Sequence, residues 1–217
     1  MKKYIFTVIL LMFSVLNYGQ KISFSVIVEP QMSWMGTDVK TVSSDGSVFG
    51  FNAGLVFDKY FAENYAFSSG IFLWNTGGNL NYSDSTEIGF RSGNEILEPN
   101  TSMRYRLQYI TVPVALKLNS NQIGYTSFYA HLGINNHINV KKSADVASLD
   151  IEKVGIPDEI QLFNMSYFIG GGVEYSLGGT TAILGGIYYT HGFLDVTTSN
   201  DYRATLNAVS LRVGVRF

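Results

Sequence analysis

Seven side chains carry the most unusual chemistry in this sequence. Glu29, Asp58, Lys117, His131, Glu174, Arg212 and Arg216 each interrupt a stretch of otherwise apolar or small residues. An isolated charge in apolar surroundings costs several kcal/mol even after relaxation, so such groups must pair. Three of the seven are acids, three are bases and one is an imidazole that both donates and accepts. Ion pairing, rather than bond making, is the chemistry this set offers.

Bond-making chemistry finds little support elsewhere. His137 and His191 fall near strand ends, and Asp195 follows the second closely. A His–Asp pair at a rim is one element of a general-base site, but a site also needs a nucleophile and an oxyanion stabiliser in reach. No nucleophile elbow, HExxH or Walker pattern is present, and the chain has no cysteine for a thiolate or a zinc–thiolate centre. Gly170-Gly171-Gly172 lies inside an extended segment with no helix after it to supply amides to a phosphate, so packing is its simpler role. No acidic run has calcium-loop spacing. No catalytic group, cofactor or metal is therefore expected. A net charge of −2 and a pI near 5.9 argue against nucleic acid.

The elements that hold the seven polar residues are strands. In the last nine residues Val209, Leu211, Val213, Val215 and Phe217 alternate with Ser210, Arg212, Gly214 and Arg216. Strict period-two alternation gives one oily and one polar face. Segments of this kind occur near 21–34, 48–58, 65–76, 103–118, 126–136, 161–176, 181–191 and 205–217. Their connections alternate long and short, as in an up-and-down barrel that keeps all its long loops at one rim. Parity then places Phe49, Phe51, Leu55, Ile110, Val112, Val114, Leu116, Phe128, Leu132 and Ile169 outside. All seven polar residues of the set fall inside. The seventh segment is ambiguous around Gly185-Gly186. Asp58, Lys117, Glu174 and Arg216 end the four strands that run toward the short turns, with alternating sign. They are expected to form a plug, with Glu29 and Arg212 a second layer. Aromatic girdles are expected from Phe57, Tyr60, Phe61, Tyr65, Tyr125, Tyr175 and Phe217 at one end. Trp34, Trp74, Tyr105, Phe163 and Phe193 would form the other.

An oily outer face on a closed sheet calls for lipid. The chain is 46% hydrophobic and 14% aromatic, yet no stretch has the roughly 18 apolar residues of a spanning helix. Lys2, Lys3 and the apolar run Ile5 to Leu16, followed by Gly19, read as a secretory signal. The expected organisation is a signal peptide over 1–19 and a barrel domain over 20–217. Without Lys2 and Lys3 the net charge falls to −4. Much of it sits in two predicted loops, with Asp84, Glu87, Glu95 and Glu98 in one and Asp145, Asp150, Glu152, Asp158 and Glu159 in the other. Arg104 and Arg106 fall where the fourth strand leaves the bilayer and can meet lipopolysaccharide phosphates. A soluble lipocalin-like carrier would need the opposite parity, an apolar cup inside a polar exterior.

The segment Tyr109-Ile110-Thr111-Val112-Pro113-Val114-Ala115-Leu116-Lys117-Leu118 and the terminal Leu211-Arg212-Val213-Gly214-Val215-Arg216-Phe217 carry a resemblance. They resemble the PorT-like, porin-family outer-membrane β-barrel proteins of the Bacteroidota. The resemblance implies an all-β, eight-stranded antiparallel up-and-down transmembrane barrel of OmpX/OmpA-like architecture. It also implies outer-membrane lipids and lipopolysaccharide as surroundings, and periplasmic chain termini. The terminal Phe217 resembles the signal read by the barrel-assembly machinery. For function it implies a non-enzymatic structural, surface-interaction or type IX secretion-assembly role with surface or secretion-system partners. A narrow porin passing small solutes is the alternative. Pro113, inside a non-edge strand, must sit at a bulge or an unpaired position.

Overall fold

A computed structural model describes residues 21–199 and 201–217; the signal peptide expected over 1–19 lies outside the described residues. Twelve strands follow in chain order: β1 (Ile22–Thr37), β2 (Val42–Ser44), β3 (Val48–Ala62), β4 (Tyr65–Tyr82), β5 (Thr86–Phe90), β6 (Gly93–Leu97), β7 (Thr101–Asn119), β8 (Thr126–Val146), β9 (Ile151–Gly155), β10 (Phe163–Gly178), β11 (Thr181–Gly192) and β12 (Ala204–Arg216). Eight of them, β1, β3, β4, β7, β8, β10, β11 and β12, pair with their neighbours antiparallel around a closed ring. The first and last strands join through Val26 opposite Val215, and β8 meets β10 through Leu132 opposite Ile169. Among the described residues each barrel strand has a paired neighbour on both sides, which is what a wall in hydrocarbon requires.

Lys21, Phe217 and the short turns lie at one end of the cylinder, the turn end. At the other, the loop end, β2, the β5–β6 hairpin, β9 and a 3-10 turn at Ala147–Leu149 occupy the long connections. The β10–β11 turn needs left-handed backbone at Gly178 and Gly179, with φ of 105° and 60°, where a side chain would be strained.

The strands run further than the sequence pattern predicts, and the reason is a reversal of polarity. Along β7 the outward side chains Leu118, Leu116, Val114, Val112 and Ile110 give way to Gln108, Arg106, Arg104 and Ser102. The inward ones change the other way, from Lys117, Ala115 and Thr111 to Tyr109, Leu107, Tyr105 and Met103. The nine residues from Ile110 to Leu118 match the 9–11 that a tilted strand needs to cross a bilayer. β4 repeats the change between Leu73 and Asn75. Above that boundary the cylinder is an ordinary water-facing barrel with an apolar interior. Its core contains Met35, Leu80, Tyr82, Met103, Tyr105 and Leu206, and the loop residues Ile88, Phe90, Ile156, Ile160, Val196 and Tyr202 close over them.

The reversal corrects part of the girdle assignment. Trp74 and Tyr105 point inward and are buried, because the interior at their height is apolar; Tyr60 is also inward. Phe61, Tyr65, Tyr125, Tyr175 and Phe217 are exposed at the turn end, and Phe163 and Phe193 toward the loop end. β11 keeps its parity through the glycine pair, with Ala182, Leu184 and Tyr188 inside and Ile183, Ile187 and Tyr189 outside.

Pro113 makes no bulge. The β4–β7 register passes from Ser69–Val114 to Phe72–Thr111 without a shift, and pairing lapses only opposite Val112 and Pro113. The missing N–H falls in that lapse, and the Ser69 hydroxyl donates to the Pro113 carbonyl at 2.8 Å. Pro30 does the same between β1 and β12, where pairing lapses from Val28–Val213 to Gln31–Ser210.

Candidate functional site: the filled lumen

The strand period that turns aliphatic residues to lipid aims the alternate positions at the axis. At the turn end this brings Asp58 of β3, Lys117 of β7, Glu174 of β10 and Arg216 of β12 into one chain. The Lys117 ammonium donates to Asp58 Oδ2 at 2.8 Å and to Glu174 Oε1 at 2.7 Å. Arg216 donates to the other Glu174 oxygen, and the Ser68 hydroxyl to Asp58 Oδ1 at 2.6 Å. Lys117 also lies 5.3 Å from the centre of the Tyr129 ring. Two acids and two bases sum to zero charge, and Asp58, Lys117 and Glu174 are buried. A buried set of charges persists only when balanced in this way.

The second layer lies toward the middle. Arg212 pairs with Glu29, donates to the Tyr188 hydroxyl at 2.9 Å and stacks 3.7 Å from the Tyr188 ring centre. His131 Nδ1 lies 3.2 Å from the Tyr188 hydroxyl, and its ring meets Phe168 edge-on. Asn52 donates to Glu29 at 3.2 Å and to Gln31 at 3.1 Å; Trp74 Nε1 donates to the same Gln31 oxygen at 3.0 Å. Above them His137 is 1% exposed. Its ring stacks on Trp74 with centres 4.2 Å apart, between the hydroxyls of Thr111 and Ser166, each at 2.8 Å. The cavity among these groups measures about 40 Å³, room for no more than a few waters. His131 Nε2 and Asn52 Oδ1 line it without a protein partner.

Small residues make this filling possible. A Cβ at Gly54 would enter the Phe72 ring, and one at Gly170 the Tyr188 ring. Large and small residues thus interlock across a narrow lumen.

At the loop end the apolar core surrounds three tyrosines. The Tyr82 hydroxyl lies 2.5 Å from that of Tyr105 and 2.8 Å from that of Tyr202. Burial raises all three hydroxyl pKa values above the ordinary one, so each remains a protonated donor. Loop ties hold the cap. Glu159 accepts from the Gly89 amide at 3.2 Å, Asp38 from the Arg203 amide at 2.8 Å, and Ile160 bridges Thr197.

All seven polar residues singled out in the sequence face the lumen, in two groups. Asp58, Lys117, Glu174 and Arg216 form one; Glu29, His131 and Arg212 form the other. Phe217 follows the last strand directly; its amide donates to the Phe24 carbonyl at 2.8 Å and the residue is 55% exposed. Gln31, Asn52, Ser68 and Tyr188 complete the network and were not singled out. The first two share inward parity with Glu29 across β1 and β3, which was a usable signal. His137 sits inside the lumen rather than at a loop. His191 is on the outer wall against Tyr167, bonded to Asn207 at 2.5 Å. Asp195 instead accepts from the Thr197 and Ala204 amides, each at 3.0 Å. The expected neighbours do not form a His–Asp pair. Among the described residues no three His, Asp or Glu side chains converge as a metal site would require.

A closed eight-stranded antiparallel wall, oily outside and polar within, defines the class of small outer-membrane β-barrels. Residues 14–198 match the outer membrane protein β-barrel domain family, and the chain belongs to it. This places the protein in the bacterial outer membrane. Among solved structures it is similar to Neisserial surface protein A, at 14% identity and a TM-score of 0.52, over 91% of this chain and 97% of that one. OprG from Pseudomonas aeruginosa aligns at 12% identity and a TM-score of 0.46, over 91% and 94% of the two chains. Ail of Yersinia pestis aligns at 16% and 0.42, over 92% and 99%. At these identities the likeness is one of fold. No curated protein matches the chain.

Proposed function

We propose that this barrel is a non-conducting, non-enzymatic scaffold that holds a rigid head above the outer membrane. The loop end faces outward and both termini lie in the periplasm. The carrying observation is that the lumen is filled twice, by the Asp58–Lys117–Glu174–Arg216 chain at the turn end and by the apolar core at the loop end. A solute would have to part buried ion pairs and then cross a packed core. The four loops, tied to each other, offer a preformed surface rather than mobile strands of chain. That favours protein contacts at the cell surface or within a PorT-like secretion assembly. Outer-membrane lipids and lipopolysaccharide surround the wall, and Phe217 serves as the signal for the barrel-assembly machinery. Recording single-channel current in planar bilayers tests the reading. Silence is expected; a large, steady conductance that survives purification would refute it.

A further inference from the structure

The loop-end wall carries a groove that the lumen does not explain. Its volume is about 430 Å³, and it runs across the outside of β4 between the start of β3 and the start of β7. Phe49 forms one bank and is 73% exposed; Arg104, Arg106 and Gln108 form the other, with Lys141 of β8 beside them. The register sets its height. Asn75 lies opposite Gln108, Gly77 opposite Arg106 and Asn79 opposite Arg104. Asn75 and Gln108 are the first polar outward residues above Leu73 and Ile110, so the groove straddles the hydrocarbon boundary.

The groove's form follows from the backbone. β3 begins at Val48 and first pairs with β4 at Phe51–Asn75, and β2 joins β4 only from Ser44–Leu80 upward, which leaves the short β4 stretch between them without a strand on that side. Next to the groove β4 and β7 approach closely at Gly77, where a Cβ would strike the Tyr105 carbonyl.

The charges are underused. The Arg104 guanidinium makes one side-chain hydrogen bond, from Nε to Asn79 at 3.3 Å. Among the described residues Lys141 makes no ion pair, while Arg106 is paired with Asp145 at 2.6 Å. The same two arginines border a second groove of about 450 Å³, with Lys153 and the acids Asp145 and Glu152. Here Arg104, Arg106, Lys141 and Lys153 outnumber the two acids.

We propose that this groove seats the phosphorylated headgroup of an outer-leaflet glycolipid, with Arg104 and Lys141 on the phosphate and an acyl chain along Phe49 and Leu73. Guanidinium groups bind phosphate through paired N–H donors, and basic residues beside a bilayer attract anionic headgroups. An aromatic bank continuous with the oily wall favours a lipid over a free anion. The inference rests on the outward orientation of the loop end.

The test uses the full chain in phosphatidylcholine nanodiscs, titrated with diphosphorylated lipid A and read by native mass spectrometry. One retained lipid A is expected. The double variant R104Q/K141Q should weaken it about thirtyfold, at about fivefold per cation. K40Q, outside both grooves, should leave it unchanged, and heat-modifiable gel mobility checks that each variant is folded. Equal binding of dephosphorylated lipid A, complete displacement by inorganic phosphate, or an unaffected double variant would each overturn the proposal. Maleimide labelling of E95C on intact cells reports orientation separately. Labelled cells without lipid A retention in nanodiscs defeat the groove alone, whereas unlabelled cells defeat the outward reading.

Discussion

Replacing Lys117 with methionine is the sharpest perturbation of the filled lumen. The side chain keeps nearly the same length and loses only its charge. Among the described residues Lys117 is the sole cation on Asp58 and one of two on Glu174. At an effective dielectric near 20, a pair 2.8 Å apart carries roughly 6 kcal/mol of Coulomb attraction, part of it offset by desolvation. What decides the outcome is the stranded partner. Asp58 would keep only the Ser68 hydroxyl, in a site that is 1% exposed. Removing one member of a buried pair typically costs about 3–5 kcal/mol, and that loss is expected in reversible urea unfolding from phospholipid vesicles. The double variant D58N/K117M removes the stranded charge and should recover about half of it. A loss of under about 1 kcal/mol, or no recovery in the double variant, would mean that water reaches these groups. The plug argument would then fail.

Val213→Arg sets a charge on the lipid face and should cost about 2–4 kcal/mol in the same unfolding assay if the site is at mid-bilayer; indifference would count against the assigned wall. Gly170→Leu should destabilise the barrel more than Leu177→Ala, because its side chain must displace the Tyr188 ring, and that in turn shifts Arg212; equal midpoints would refute the interlocking. The three capped tyrosines have pKa values raised above 10.0. Below pH 10 their contribution is fully present; as pH climbs past that value the unfolded chain ionises first, and stability falls. Protection factors at Leu80 and Met103, taken after correction for the base-catalysed intrinsic exchange rate, should therefore fall above pH 10, and by less in Y82F/Y202F; protection factors that stay constant would contradict the buried trio.

Period-two reading located all eight wall strands, because lipid on one side and a polar lumen on the other leave an unambiguous stripe in β3, β7 and β12. The same reading found both charged layers, since Asp58 and Lys117 are inward by parity alone. It ended β8 near residue 136 although the strand continues to Val146. Beyond the bilayer the apolar stripe moves to the inside, so a search for oil on the outer parity stops there. Trp74 and Tyr105 were misplaced for that reason, and His137 looked like a loop residue only because its strand seemed to have finished. The role of Tyr188 was hidden by Gly185 and Gly186, which have no side chains to reveal parity.

The change of face along β4 and β7 also fixes how deep the molecule sits. Sliding one residue pair outward would drag Ile110 and Leu73 into water, and sliding inward would submerge Gln108 and Asn75 in hydrocarbon. A cylinder so marked has one favourable height, and a bilayer of another thickness must stretch or thin around it. The protein is thus a gauge of membrane thickness, most at ease where the hydrocarbon spans the distance from Ile110 to Leu118.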